Sequence, residues 1–221
     1  MNKFAIGCGG LLVIVLFIVF VIGLFFWGTY NRLVGLQQSV DAQWAQVQTV
    51  YQRRADLIPN LVNTVAGAAN FEKSTLTEVT NARASVGRVQ LDPSKAPTDA
   101  KQLQEFQAAQ GQLSNALSRL LVVAENYPQL RATENFQGLQ AQLEGTENRI
   151  SVERNKFNTM VQDYNTAVRR FPTNMIAGMF GFAPRPFFSA QPGAEKAPAV
   201  NFNFGSPAPA ASPAATAAAT P

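Results

Sequence analysis

The side chains best suited to chemistry in this chain are arginines and carboxylates that fall on two segments far apart in the sequence. The candidates are Arg53, Arg54, Asp56, Glu147 and Glu153. We predict that one of the arginines reaches one of the glutamates across a helical bundle, because a buried carboxylate is costly unless it is paired. Such a cluster would fix helix register and partner choice more than it would add stability. A binding groove at the same cluster is the functional alternative.

Composition narrows the chemistry further. Histidine is absent and cysteine occurs once, at Cys8. These counts exclude an intrachain disulfide and a thiolate metal site, and they remove the commonest general base and metal ligand. Glu144 and Glu147 resemble part of a di-iron carboxylate set, but such bundles complete it with histidine. We therefore predict a protein that is not an enzyme, with no cofactor, no metal and no small-molecule substrate.

Charge gives no sign of a nucleic-acid partner. The formal net charge is +4, and Lys and Arg are spread along the chain. A nucleic-acid-binding domain would gather them on one face, with aromatic residues between them. We predict no nucleic-acid binding.

The N-terminal segment is apolar and precedes the charged cluster. No charged residue occurs between Phe4 and Asn31, and Leu, Ile, Val and Phe make up nearly all of residues 11–26. About 20 residues at about 1.5 Å each cross a hydrocarbon core about 30 Å thick. The run is too long for a secretory signal, and no small-residue cleavage site follows it. We predict an uncleaved, single-pass transmembrane helix over residues 1–29.

After this anchor, apolar residues recur every three or four positions, which predicts helices rather than strands. The first helix is expected to continue straight out of the membrane. It should kink near Asp56, because Pro59 lacks an N–H and clashes with the carbonyl of Ala55. Two further helices follow, and Thr98 or Ser94 is expected to cap the second of them.

The fourth helix shows the clearest pattern. Thr133 is of a type favoured at helix N-caps, and five heptads follow, which is typical of coiled-coil-like packing. The two predicted core positions of the heptad are Phe136, Leu143, Ile150, Phe157, Tyr164 and Phe171, and then Leu139, Thr146, Glu153, Met160 and Ala167. Short connections make neighbouring helices antiparallel. The predicted fold class is all-α, with an N-terminal transmembrane helix followed by an elongated antiparallel helical bundle.

The chain is thus predicted to have three parts. Residues 1–29 form the anchor and residues 30–183 form the bundle. From residue 184 to residue 221, Pro, Ala, Ser and Gly dominate. Such a composition cannot bury enough apolar surface to offset chain entropy. We predict a disordered Pro/Ala-rich tail there.

An apolar segment follows the fourth helix. In an up-down bundle this helix runs back toward the bilayer, so the segment would lie near the lipid. Its candidate membrane-interface residues are Met175, Ile176, Phe180 and Phe182, which would make a second, weaker contact. The alternative is that these side chains close the end of the bundle as ordinary core.

Several short motifs occur together in a characteristic order. They are YNRLV (30–34), RRADLIPNLV (53–62), ARA (82–84), ENYP (125–128), LEGTENRI (143–150), DYN (163–165), FP (171–172) and FGF (180–182). Their order and spacing resemble the LemA family of bacterial membrane proteins, over about residues 29–188. The resemblance implies an N-terminal anchor, a short N-terminus outside the cell, a cytoplasmic helical bundle and no established enzymatic activity. It also implies a connection with membrane organisation, including magnetosome membranes.

Function is predicted from these features together. We expect a scaffold or membrane-organising protein of the bacterial cytoplasmic (inner) membrane that acts on the bilayer and on an unidentified protein partner or a second copy of itself. The flanking charges are nearly balanced, so the resemblance alone favours a cytoplasmic bundle. An accessory or regulatory subunit of a membrane enzyme is the alternative.

Overall fold

A computed structural model describes residues 2–67, 71–89 and 91–189, with side chains from Leu12 onward. These residues form helices and connecting segments, without strands. The helices are α1 (Asn2–Ala66), α2 (Lys73–Arg88), α3 (Ala100–Ala124), α4 (Pro128–Arg131), α5 (Glu134–Arg169) and α6 (Thr173–Phe180). The all-α prediction is confirmed.

Helix α1 carries both the apolar span and the first helix of the bundle. It contains a stretch with a mean hydropathy of 2.8, long and apolar enough to cross a membrane. The side chains of that stretch face outward, and burial begins at Leu33, which is fully enclosed. The transition from span to bundle therefore occurs within one continuous helix.

Pro59 lies inside α1 without ending it. Proline has no N–H to bond the carbonyl four residues earlier, which belongs to Ala55. That carbonyl instead accepts a hydrogen bond from Nε of Arg83 on α2, at 3.2 Å. The replacement bond satisfies the freed carbonyl, and the helix continues to Ala66.

Helix α5 packs along α1, and α2 packs along α3. The heptad prediction for α5 is confirmed at five of the six first core positions, which are Phe136, Leu143, Ile150, Phe157 and Tyr164. It is wrong at Phe171, which is 75% exposed because α5 ends at Arg169. Met160, a second core position, also lies on the surface.

The helix caps follow the predicted chemistry with one exception. The Thr133 hydroxyl accepts from the N–H of Phe136 at the start of α5, as predicted. Neither Thr98 nor Ser94 caps α3. Asp99 does so, since its carboxylate accepts from the N–H of Lys101 at 2.8 Å.

The bundle core consists of two apolar clusters. The cluster nearer the span, which we call the proximal cluster, includes Leu33, Trp44, Tyr51, Phe106, Ile150, Phe157 and Phe188. The distal cluster includes Ile58, Leu61, Val65, Leu113, Leu120, Phe136 and Leu143. On each of α1, α3 and α5 the change of cluster occurs within one or two helical turns, so a single level of the bundle separates them.

After α6 the chain turns back along the bundle. Residues 182–188, here called the strap, are held by two asparagines of α5. Asn165 donates to the carbonyl of Arg185 and accepts from its N–H, both at 2.8 Å. Asn158 makes the same pair of bonds with Phe188, at 3.0 and 2.8 Å. Each asparagine side chain therefore bonds both the N–H and the carbonyl of one strap residue, as the backbone of a neighbouring strand would.

The end of the strap is part of the core. The ring of Phe188 stacks on Trp44 with ring centroids 6.0 Å apart, meets Phe157 edge-on, and lies under the guanidinium of Arg154. The packed unit extends to Phe188. The predicted boundary at residue 184 is therefore too early, because aromatic burial and the asparagine bonds offset the cost of ordering the strap. The predicted tail from residue 190 lies outside the described residues.

We predict that the double substitution Asn158→Ala and Asn165→Ala releases the strap while leaving α5 helical. Each substitution removes two hydrogen bonds worth about 0.5–1.5 kcal/mol apiece. Local opening should then be easier by about 1–3 kcal/mol per site, and amide hydrogen exchange at Arg185 and Phe188 about tenfold to hundredfold faster.

The matched control for this prediction is Asn155→Ala, one turn earlier on α5 at an exposed position. It should leave both exchange rates unchanged. Equal protection in the double variant and the control would show that the asparagines do not hold the strap.

Candidate interaction site

Arg54 is buried at the level that separates the two apolar clusters. Its side chain is 2% exposed. One terminal nitrogen, Nη1, donates to Glu147 and to the Ser114 hydroxyl, both at 2.9 Å. The other, Nη2, donates to the side-chain oxygen of Gln110. We call Arg54, Gln110, Ser114 and Glu147 the Arg54 layer, which joins α1, α3 and α5.

The pair is asymmetric in its exposure. Glu147 is 54% exposed, although its partner Arg54 is enclosed. Water therefore solvates the carboxylate, whereas the guanidinium depends on protein acceptors. Removing a partner from a buried charge costs more than the pair gains by forming. The layer consequently specifies which parts of the three helices stand opposite each other.

Tyr51 borders this layer one turn before Arg54. The guanidinium carbon of Arg54 lies 5.2 Å from the centre of the Tyr51 ring. Burial raises the pKa of Tyr51, against the lowering effect of the Arg154 and Arg54 guanidinium groups. Tyr51 is therefore a neutral phenol at physiological pH.

The structure brings together only part of the predicted cluster. Arg54 meets Glu147, whereas Arg53 and Asp56 lie on the exposed side of α1. Asp56 accepts from the side chain of Gln52, one turn earlier on the same helix, at 2.8 Å. The reason is helical phase, since the buried stripe of α1 includes Val47, Tyr51, Arg54, Ile58 and Leu61.

Glu153 takes part in a separate contact. It accepts from Nε2 of Gln43 at 2.6 Å and from Nζ of Lys156 at 2.9 Å. The bond from Lys156, followed by that from Gln43, lowers the pKa of the Glu153 carboxyl. Glu153 thus fastens α5 to α1 nearer the span and does not contact either predicted arginine.

A second polar cluster, which sequence reasoning missed, surrounds the α2–α3 connection. The Asp41 carboxylate accepts from the N–H of Ala96 at 2.9 Å, and the Arg185 guanidinium donates to the carbonyl of the same residue at 2.5 Å. The indole N–H of Trp44 donates to the carbonyl of Asp92 at 3.0 Å. Arg185 is held in this cluster by Asn165 of α5. The sequence signal that could have indicated such a contact is the aromatic–asparagine pair that repeats after seven residues, Phe157-Asn158 and Tyr164-Asn165.

The four candidate membrane-interface residues divide between core and surface. Ile176 is 1% exposed and belongs to the core, so its prediction as an interface residue is wrong. Phe182 is partly enclosed against the proximal cluster. Met175 and Phe180 face outward. Helix α6 therefore has one side in the bundle and one side outside it.

Within the described residues, no group of three or more acidic or cysteine side chains is placed to hold a metal ion. Arg53 and Asp56 line an open groove of about 770 Å³ together with Asn60. Because the groove's charged residues lie outside the Arg54 layer, substitutions there can be made without disturbing the layer.

We predict that Arg54 and Glu147 are energetically coupled. Arg54→Met, Glu147→Ala and the double variant should give a coupling free energy of about 1–3 kcal/mol, because either single change leaves a polar group without its partner. Urea unfolding can be followed by the fluorescence of buried Trp44 in a Trp27→Phe background, which leaves a single tryptophan.

The exposed pair Arg119–Glu78 has the same 2.9 Å contact, with side chains 70% and 43% exposed. It serves as the matched control and should couple by less than about 1 kcal/mol. If the two cycles give equal coupling, burial of Arg54 has no special role.

Comparison with known proteins places this architecture in a family. A model described as the LemA family matches residues 43–202, which is most of the chain and extends beyond the strap. Magnetosome protein MamQ 2 of Paramagnetospirillum magneticum is 25% identical over 178 residues, which cover 74% of this chain and 65% of that protein. Magnetosome protein MamQ of Magnetospirillum gryphiswaldense is 26% identical with the same coverage.

A further relative is Protein LemA of Metamycoplasma hominis, 23% identical over 166 residues, which cover 74% of this chain and 71% of that protein. The chain spans just under two thirds of the length of the MamQ relatives it matches. Because the family model covers well over half of the sequence, this helical protein with one candidate N-terminal transmembrane helix belongs to the LemA family.

Proposed function

We propose that this protein is a non-catalytic scaffold of the bacterial inner membrane, which holds a helical bundle at a fixed position relative to the bilayer for contacts with proteins and lipid. The observation that carries the proposal is the continuity of α1 from the apolar span into the bundle core. A flexible linker would serve for tethering alone. A shared helix instead gives the bundle a defined height above the membrane and a defined rotation about the axis of that helix.

The dimensions suit such a role. From Tyr30 to Ala66 the helix rises about 55 Å at about 1.5 Å per residue. Helix α5, with 36 residues, packs beside it over much of this length. Two long helices in contact resist bending better than one. The scaffold would therefore present its far end well away from the headgroups.

The hydrogen bonds of the polar residues support a non-catalytic role. Arg54 is committed to three side chains of the bundle, and Glu153 to two. The carbonyl that Pro59 frees accepts from Arg83. These groups hold helices together, which leaves them unavailable to a substrate.

The magnetosome proteins among the relatives favour a role in membrane organisation.

A second function is favoured by the groove beside Arg53 and Asp56. An accessory or regulatory subunit of a membrane enzyme would use these two exposed charges as its contact. The groove lies outside the Arg54 layer, so its contacts would be independent of bundle stability.

For orientation, we propose that the N-terminus lies outside the cell and that the bundle is cytoplasmic. Arg32 lies two residues after Tyr30, the last aromatic residue at the end of the apolar span. Arg169 and Arg170, at the close of α5, return to the same end of the bundle. Basic groups at this level suit the anionic lipid of the cytoplasmic leaflet.

A peroxidase fused after Pro221 tests both proposals by proximity labelling in living cells. The scaffold proposal predicts that the biotinylated proteins are cytoplasmic and membrane proteins of several kinds, including a second, differently tagged copy of this chain. Labelling of extracytoplasmic proteins would contradict the proposed orientation.

The matched variant for the rival function is Arg53→Ala with Asp56→Ala, which changes the groove but not the layer. One dominant enzyme partner that disappears in this variant would replace the scaffold with the accessory subunit. An unchanged set of labelled proteins would favour the scaffold.

A further inference from the structure

We propose that α6 and the turn before it form a second membrane contact, in which an exposed apolar face enters the headgroup region of the bilayer and neighbouring arginines bind anionic phospholipid headgroups. The inference rests on the anchoring of α1 in the proposed function. It adds a specific lipid-facing surface in the bundle itself.

The position of α6 is the first argument. The ring of Tyr30 lies 4.9 Å from that of Phe180 and 5.8 Å from that of Phe182, measured between centroids. Tyr30 belongs to the aromatic residues that end the apolar span, where a headgroup boundary is expected. Helix α6 therefore lies beside α1 at the level of the membrane surface.

The shape of the segment fixes this position. Gly181 has a φ of +74°, a conformation that glycine adopts readily, and it ends α6. The N–H of Phe182 then bonds back to the carbonyl of Ala177 at 2.9 Å. This turn brings both Phe180 and Phe182 against the ring of Tyr30 and precedes the strap.

The outward face of α6 is the second argument. Ile176 and Ala177 are 1% exposed and hold the helix on the bundle. Met175 is 66% exposed, Met179 63% and Phe180 52%. A helix that buries one apolar face in protein and presents another outside is expected where lipid, not water, covers the second face.

The basic residues near α6 also support a lipid contact. The contacts Arg54–Glu147 and Gln43–Glu153 set an antiparallel register between α1 and α5. Continued toward the span, this register carries Arg169 and Arg170 to the level of Tyr30. No acidic residue occurs from Tyr164 to Ala194. The surface around α6 is therefore basic and apolar, which suits anionic lipid.

Exposed aromatic side chains occur next to α6 both on the anchor and at the turn before α6, which favours lipid over a protein partner. Trp27, one turn before Tyr30, is 72% exposed on the span itself. Phe171, at the turn before α6, is 75% exposed. A protein partner on this face would have to displace lipid from a site already at the boundary of the bilayer.

Site-directed spin labelling of the full chain tests the proposal. In a Cys8→Ser background, Met179→Cys carries a nitroxide in vesicles of phosphatidylcholine with phosphatidylglycerol. Met160→Cys, on the exposed side of α5, is the matched control, and Ile22→Cys reports on the anchor. Collisions with oxygen, which concentrates in lipid, are compared with collisions with a water-soluble nickel complex.

We expect the ratio of oxygen to nickel collisions to be several-fold higher at 179 than at 160. In vesicles of phosphatidylcholine alone, or with Arg169→Gln and Arg170→Gln, the ratio at 179 should fall. A ratio at 179 equal to that at 160, with Ile22→Cys in lipid, would overturn the second contact while leaving the anchor intact.

Two other outcomes also decide the question. If the label at position 22 is itself accessible to nickel, the anchoring on which both proposals rest is wrong. If the label at 179 shows spin–spin broadening that disappears on dilution with unlabelled protein, a second copy of the chain covers α6, and the lipid contact is overturned.

Discussion

The buried guanidinium of Arg54 requires acceptors from two other helices, and the positions of three helices depend on that requirement. Gln110 and Ser114 come from α3, and Glu147 comes from α5. Sliding either helix by one turn would remove these acceptors and leave a buried charge unpaired, which costs several kcal/mol. Apolar side chains tolerate such shifts far better. The layer therefore supplies a register that the two surrounding clusters alone would specify weakly.

The register set by the Arg54 layer also fixes what lies next to the membrane, because α1 belongs to both the apolar span and the bundle. Once α5 is fixed on α1 at Arg54 and again at Gln43, the end of α5 and the start of α6 follow. The strap then returns along α5 and closes the proximal cluster with Phe188. The internal arrangement of the bundle thus determines what is presented at the bilayer surface. The proposed scaffold role uses this relation, since it would act through the position of the bundle at the membrane.

Much of the fold follows from periodicity in the sequence. The span, the long α5 helix, the Thr133 cap and the Arg54–Glu147 contact all depend on local pattern or on one pairing rule. Arg53 and Asp56 fall outside the cluster because of helical phase, which the three- and four-residue steps of the buried stripe carry through Pro59. Proximity in sequence to Arg54 is not enough to place a side chain on that stripe. The strap was missed because its backbone is held by two asparagine side chains, and their seven-residue spacing on α5 does not tell which segment they bind. Its central residues, Ala183 to Pro186, resemble the tail in composition. The contacts of Phe188 with Trp44 and Phe157 are tertiary and are not visible in the sequence.

The bond from Arg83 to the carbonyl of Ala55 was likewise beyond sequence reasoning, since it joins two helices whose relative position depends on the whole bundle. The burial of Ile176 and the exposure of its neighbour Met175 could not be predicted from the sequence either. Both residues are apolar and adjacent, and only the packing of α6 on α1 and α5 separates their environments. Local chemistry predicted that this segment lies near the membrane, and the tertiary fold decides which side chains face outward.

The proposed geometry depends most on the helix that joins span and bundle. Gly28 and Gly35 lie in that junction, and glycine weakens a helix by about 0.5–1 kcal/mol relative to alanine. Amide hydrogen exchange of the full chain in lipid nanodiscs, resolved over residues 28–36, tests its continuity directly. We predict slow exchange through both glycines, comparable to that at Trp44 in the bundle core. Fast exchange at residues 28–32 between two protected segments would show a flexible joint and contradict the fixed geometry on which the scaffold depends.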